Sequence, residues 1–243
     1  MNEPLPTSTG VSPASSPRDA DDLSRLLVLM DYDGTITTRD CNEVVLQNYT
    51  GDAWRDLWEA RVDSGEIGHA ECFRGQMGLI RAPRAEVIAA MAAAAEPAAG
   101  VAEFLAAIQA RGARIAVVSV GIAEAIASAW KRLGLPPVEL HASELLGDEA
   151  SGYDARFDPV FGECPRCGPG GCKSGAVREL AEIGDAVAMF GDGVSDLCLA
   201  READIVFAKG SLARLCVTEG IRFRPLDDYH TALRDLLAWA ATA

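Results

Sequence analysis

Three separated segments offer acids, a hydroxyl and glycines of the kind that handle phosphoryl groups. DYDGTIT at 31–37 carries two carboxylates, Asp31 and Asp33, one residue apart. Ser119, Val120 and Gly121 form the second segment, and GDGVSD at 191–196 the third, with Asp192 and Asp196. Lys173 opens the pattern KSGAVREL. Asp31, Asp33 and Asp192, brought together, would repel one another unless protons or a cation neutralised them. Hard oxygen ligands with room for waters and a phosphate suit Mg²⁺. The Ser119 hydroxyl can donate to a phosphoryl oxygen, and Lys173 with the N-terminus of its helix could face an anion. Carboxylate nucleophile, second carboxyl, metal and cationic clamp together describe phosphoryl transfer. Each segment alone could be a plain turn, since Asp and Gly favour turns without catalytic purpose. Three on one edge are harder to explain that way.

A common edge requires elements that end there. Five short apolar runs alternate with helical patterns: LLVLM (26–30), RIAVVS (114–119), PVELH (137–141), AVAMF (186–190) and DIVFA (204–208). Such runs suit strands buried on both faces. Helical patterns cover 99–111, 122–133, 174–183, 211–219 and 227–241. The alternation predicts an α/β fold, a doubly wound, Rossmann-like parallel sheet whose ligands bind beyond the carboxyl ends of the strands. Asp31, Ser119 and Gly191 follow or close three of those runs. The connection between the first two strands is too long for one helix. Residues 41–97 therefore read as an inserted helical cap, with Trp54, Leu57, Trp58 and Val62 on one helical face. Residues 23–40 and 98–243 read as the core domain. Residues 1–22, rich in Ser, Pro and Asp, read as a disordered tail.

Composition narrows the partners. The 243 residues carry a formal charge of −14, which repels nucleic acid and anionic membranes. No apolar run approaches the roughly 20 residues of a membrane-spanning helix, and the N-terminus lacks the pattern of a signal peptide. The expected compartment is the cytoplasm, in keeping with an odd count of seven cysteines. Nothing in the sequence fixes the oligomeric state.

With those residues in view, the chain resembles the haloacid dehalogenase (HAD) superfamily. DYDGTIT, Ser119, Lys173 and GDGVSD match its four motifs in order, and the GDGxxD form with the cap position resembles the phosphoserine-phosphatase-like branch. The resemblance implies that Asp31 attacks phosphorus to form an aspartyl-phosphate, and that Asp33 protonates the leaving group and then activates water. It implies Mg²⁺ held by Asp31, the Asp33 carbonyl and Asp192, with Asp196 supporting its waters. Ser119, Gly121 and Lys173 would hold the phosphoryl oxygens. Dehalogenases of the superfamily lack the second acid and P-type ATPases carry Lys there, so Asp33 favours phosphate esters. A phosphomutase or phosphotransferase would share Asp31 and Asp33. A non-catalytic binding relative would not need the nucleophile.

The substrate is expected to be a small phosphorylated metabolite. Phosphoserine phosphatases place an acid nine positions after the nucleophile, here Asp40, and an Arg before an apolar cap run, where this chain has Gln76. Asp40, Glu43, Arg74 and Gln76 are the candidate specificity residues. FGECPRCGPGGCKSGAVREL resembles the segment before the third motif in the methionine-salvage 2-hydroxy-3-keto-5-methylthiopentenyl-1-phosphate phosphatases. In it, Cys164, Cys167 and Cys172 could bind structural Zn²⁺, but a tetrahedral site needs a fourth ligand. His141 is a candidate; the preferred reading is reduced thiols in a tight loop. Cys41, Cys72, Cys198 and Cys216 read as packing residues.

Overall fold

The computed structural model describes residues 22–242. Residues 1–21 of the expected tail lie outside the described residues. A seven-stranded sheet runs through the molecule in the order β4-β3-β2-β1-β7-β8-β9. Its strands are β1 (Leu26–Met30), β2 (Arg114–Ile122), β3 (Glu139–Asp148), β4 (Gly152–Arg156), β7 (Ala186–Gly191), β8 (Ile205–Ala208) and β9 (Arg224–Pro225). Between β4 and β7 lies a separate hairpin of β5 (Gly162–Cys164) and β6 (Gly168–Cys172). All pairings in the large sheet are parallel except β3 with β4. This is the doubly wound α/β sheet that the strand–helix alternation predicts.

β1 lies between β2 and β7, and all five of its residues are buried. That explains a continuous apolar run in place of an alternating one. Helices cover both faces: α5 (Val101–Gln109), α6 (Ala123–Leu133) and α10 (Tyr229–Ala240) pack on one, with α7 (Gly175–Leu180), α8 (Leu197–Ala200) and α9 (Gly210–Glu219) on the other. On the first face Phe190 stacks on Phe207 with centroids 4.4 Å apart, and Phe104 meets Phe190 edge-on at 5.1 Å. Each such ring buries on the order of 1.5–3 kcal/mol of apolar free energy. No helix among the described residues is long and apolar enough to cross a membrane.

Between β1 and β2 come α1 (Cys41–Thr50), α2 (Ala60–Asp63), α3 (His69–Met77) and α4 (Arg84–Ala94). The segments leading in and out lie side by side: Thr38 N–H donates to the Glu96 carbonyl at 2.9 Å, and Ala98 N–H to the Ile36 carbonyl at 2.8 Å. Trp54, Phe73, Met77 and Val87 share an apolar cluster with Ile122, Leu145 and Tyr153, so β3 and β4 reach out to floor these helices. Trp54 is buried, but Leu57 is 53% exposed. One helical face for Trp54, Leu57, Trp58 and Val62 is therefore corrected. Arg55–Glu59 winds as a π-helical turn, whose wider spacing rotates Leu57 outward.

Two further boundaries differ from the sequence reading. β3 starts two residues later than the expected run and continues through Ser143, Glu144 and Gly147, polar positions that hide a strand from an apolar search. The helix expected over 174–183 is only the six residues of α7, because Ala181 turns extended.

Candidate active site

Asp31 stands at the carboxyl end of β1, its N–H donating to the Phe190 carbonyl of β7 at 2.9 Å. The chain then bends sharply. Gly34 adopts φ +72°, and a Cβ there would lie 2.5 Å from Asp192 Oδ2, so only glycine permits the approach. The bend is held by Thr37, fully buried, whose hydroxyl donates to the Arg39 carbonyl at 2.7 Å and lies 3.1 Å from that of Tyr32. From the far side, the Tyr229 hydroxyl donates to the Thr35 carbonyl at 3.3 Å, and Thr35 Oγ1 donates to Asp192 Oδ1 at 2.8 Å. A helix at the end of the chain thus helps to set an acid at the sheet edge.

β2 bulges at Val120 and Gly121, its register against β3 shifting between Ser119 and Ile122. Buried Ser143 donates to the Val120 carbonyl at 2.8 Å and satisfies it. The bulge turns Gly121 N–H onto Ser119 Oγ at 3.0 Å. A Cβ on Gly121 would stand 2.8 Å from Asp33 Oδ2, 3.1 Å from Ser119 Oγ and 3.2 Å from Asn42 Nδ2, so these groups share one small space.

Lys173, 1% exposed, bridges two carboxylates, with Nζ 2.5 Å from Asp31 Oδ1 and 2.7 Å from Asp196 Oδ1. Asp196 Oδ2 accepts the N–H groups of Asp192 at 3.2 Å and Gly193 at 3.0 Å. Asp31, Asp192 and Asp196 can bring one oxygen each to within 4.8 Å of one another. Burial and the negative charges of Asp196 and Asp192 push the Asp31 carboxyl well above the usual range, against the pull of Lys173. Burial and Asp196 push Asp192 up to about 6. Burial opposes the charge on Lys173, but Asp196 and Asp31 outweigh it and raise its pKa. One ammonium cannot balance three carboxylates, so this donor set fits a divalent cation with hard ligands. Asp31 Oδ2 accepts no hydrogen bond from any described residue, whereas Oδ1 is taken by Lys173.

Asp33 takes its hydrogen bonds from outside that group. Its Oδ1 accepts Cys41 N–H and its Oδ2 accepts Asn42 Nδ2, both at 2.8 Å. Burial, with the nearby charge of Asp40, pushes its carboxyl up to about 8 despite those donors. Asn42, Thr35 and Tyr229 escaped the sequence reading. Thr35 stood inside the first motif and could have been found; Asn42 and Tyr229 had no local pattern to mark them.

The four specificity candidates are placed differently from one another. Asp40 caps α1, its Oδ1 accepting Glu43 N–H at 2.9 Å. Glu43 pairs with Arg55 at 3.6 Å. Gln76 is buried on α3. Arg74 is held by Asp154 of β4 through two hydrogen bonds of 2.7 and 2.9 Å, which gives its guanidinium a protein partner. The cysteine reading needs correction. Cys198, assigned to packing, joins Cys164, Cys167 and Cys172, with all four sulfurs within 4.8 Å. His141 lies elsewhere, between Asp158 at 3.3 Å and Glu139 at 3.0 Å.

Comparison with known proteins adds a lineage to this geometry. A family described as haloacid dehalogenase-like hydrolase matches residues 28–201. A protein of Exiguobacterium sp. named 2-hydroxy-3-keto-5-methylthiopentenyl-1-phosphate phosphatase is 26% identical over 84% of this chain and 93% of its own length. A Geobacillus kaustophilus protein of the same name is 27% identical over 83% of this chain and 90% of its own. Among solved structures, a phospho-aspartyl intermediate analogue of phosphoserine phosphatase superposes with a TM-score of 0.64 at 18% identity, covering 88% of this chain and 97% of its own. At that identity the likeness speaks for the fold.

Proposed function

This chain belongs to the haloacid dehalogenase-like hydrolase family, and we propose that it hydrolyses a small-metabolite phosphate monoester through an aspartyl-phosphate on Asp31. One observation carries the reading: at the end of β1, Asp31 keeps one oxygen on Lys173 and leaves Oδ2 without a donor among the described residues, while Asp33 has its own hydrogen-bond partners and its carboxyl is pushed up to about 8 by burial. A nucleophile needs a free lone pair, and a leaving alkoxide needs an acid whose pKa lies near the working pH.

The steps follow from these placements. Lys173 fixes the Asp31 carboxylate, and Oδ2 attacks phosphorus in line. Asp33 gives its proton to the departing alkoxide oxygen. The same carboxylate, now charged, takes a proton from water as that water attacks the aspartyl-phosphate, and Asp31 is released with inorganic phosphate. Ser119 Oγ and Lys173 border the space where the phosphoryl oxygens would lie, and Gly121 lines it without a side chain. Mg²⁺ would be held by Asp31, Asp192 and the Asp33 carbonyl with Asp196 behind them, and when bound it would neutralise the acids and polarise the phosphoryl oxygens. We read residues 41–97 as the cap over this edge.

For the substrate, the shared name of the two relatives supports 2-hydroxy-3-keto-5-methylthiopentenyl-1-phosphate or a related biosynthetic intermediate. Phosphoserine is the second reading. The Arg74–Asp154 pair disfavours it, since that pair occupies the arginine two residues before Gln76, which stands where phosphoserine phosphatases are expected to carry an Arg. A panel of phosphorylated metabolites assayed for phosphate release with Mg²⁺ tests the proposal. The methylthiopentenyl phosphate should rank above phosphoserine in kcat/KM, and Asp31→Asn should reduce every turnover to background. Substantial turnover by a folded Asp31→Asn protein would refute the aspartyl-phosphate route.

A further inference from the structure

The four-cysteine cluster lies outside the chemistry just described, although it touches the elements that carry it. Cys164 and Cys167 flank the turn of the β5–β6 hairpin, Cys172 ends β6, and Cys198 lies on α8. Cys164 Sγ stands 3.7 Å from Cys198 Sγ, and Cys167 Sγ stands 3.8 Å from it. A disulfide would need about 2.05 Å. A tetrahedron of sulfurs around one zinc, with Zn–S of about 2.3 Å, has edges of about 3.8 Å. Thiols that merely pack carry no such requirement on their mutual spacing.

We propose that Cys164, Cys167, Cys172 and Cys198 form a structural zinc site that ties the hairpin to the two loops carrying Lys173 and Asp196. Binding Zn²⁺ sends the four thiol protons to solvent and leaves a closed tetrahedral thiolate set with no position open for catalysis. Zinc is preferred over iron because the neighbouring chemistry moves no electrons, though both metals accept such a set. The surroundings suit thiolates. Cys167 N–H donates to Cys164 Sγ at 3.3 Å, the Ser174 hydroxyl lies 3.1 Å from Cys172 Sγ, and Arg201 lies close enough to feel charge on Cys198 and Cys164. Cys167, Cys172 and Cys198 are buried, which makes chance thiolate formation costly without a metal.

The site's position gives it work to do. Cys172 immediately precedes Lys173, and Cys198 follows Asp196 by two residues, so one ion would clamp both ends of the 2.7 Å ion pair between them. The same hairpin docks α3, for Ala70 N–H donates to the Cys167 carbonyl at 2.9 Å. Hairpin, lysine bend, acid turn and α3 are thus joined near one point.

The test needs no substrate, so its outcome is separable from the phosphatase reading. Full-length protein purified without chelators is analysed for metals by mass spectrometry. It is then titrated with an organomercurial in the presence of a zinc-sensitive dye. One zinc per chain, released in step with modification of the clustered thiols, is expected. Cys198→Ser should retain less than a tenth of that zinc, while Cys216→Ser, buried outside the cluster, should retain all of it. Zinc-free wild-type protein with freely titrating thiols overturns the proposal, as does stoichiometric iron. Full zinc in Cys198→Ser, or equal loss from both variants, overturns it too.

Discussion

Asp40 separates two roles that a sequence cannot tell apart. As the N-cap of α1 it accepts Glu43 N–H at 2.9 Å, and its charge helps to keep the Asp33 carboxyl up near 8. Asp40→Ala removes both contributions. Losing an N-cap carboxylate costs about 0.5–2 kcal/mol, and for a chain of this size each kcal/mol moves Tm by about 2–4 °C. Asp40→Asn keeps the cap, since Asn serves there about as well as Asp, but removes the charge. The expected pattern is a Tm drop of about 1–8 °C in Asp40→Ala and almost none in Asp40→Asn. In both variants the acid-form limb of the kcat/KM profile should move to lower pH. The sign follows from the cause: a neighbouring anion raises a carboxyl pKa, so its removal lets Asp33 lose its proton earlier. Turnover of p-nitrophenyl phosphate and of the natural substrate should shift together. Differential scanning fluorimetry and pH–rate profiles on both substrates decide it. A direct substrate contact would instead cost about 1.5–3 kcal/mol, or about 10- to 150-fold, for the natural substrate alone. That selective loss with Tm unchanged in Asp40→Ala would refute the capping argument.

Three further outcomes are expected. Chelation by EDTA should abolish phosphate release and Mg²⁺ should restore it. Ca²⁺ should restore it poorly, because its looser coordination misplaces the reacting oxygens; full activity after chelation would leave the Asp31–Asp192–Asp196 group without its cation. Gly121→Ala should lower kcat by at least about tenfold, roughly the 1.4 kcal/mol that corresponds to a factor of ten, and lower Tm as well, because its Cβ intrudes 2.8 Å from Asp33 Oδ2 in a buried space. Unchanged kcat would remove Gly121 from the phosphoryl space. Asp185 is held below the usual carboxylate range: burial pushes it up, but Glu182 N–H and Arg114 outweigh that. Its contribution is present above the unfolded pKa of about 3.9 and fades as pH falls through the lower folded value. Asp185→Asn should therefore lower stability by about 1–2 kcal/mol at pH 7 and flatten the acid limb of Tm against pH; identical acid limbs would contradict this.

The local chemistry of the sequence settled a good deal. LLVLM, RIAVV and AVAMF are apolar on every residue or nearly so, which only strands covered on both faces require, and their ends place Asp31, Ser119 and Gly191 on one edge. Gly34 was fixed by a backbone conformation that other residues rarely adopt. The four motif segments do meet: parallel neighbours β1, β2 and β7 end on one edge, and the bend after β6 brings Lys173 onto Asp31 and Asp196. What the sequence left open depends on partners distant in the chain. Arg74 reads as a free cation until Asp154, 80 residues later, is laid beside it. Cys198 reads as an apolar filler until folding brings it to the hairpin 31 residues before it. Tyr229 satisfies a carbonyl of the bend after β1, and Ser143 one of the β2 bulge, each far from it in sequence. β4 hides in polar residues because one of its tasks, flooring the helices between β1 and β2, uses only Tyr153 and Ala155. Periodicity and motifs report what a segment does within itself. Pairing across the chain is decided only when packing sets which surfaces touch.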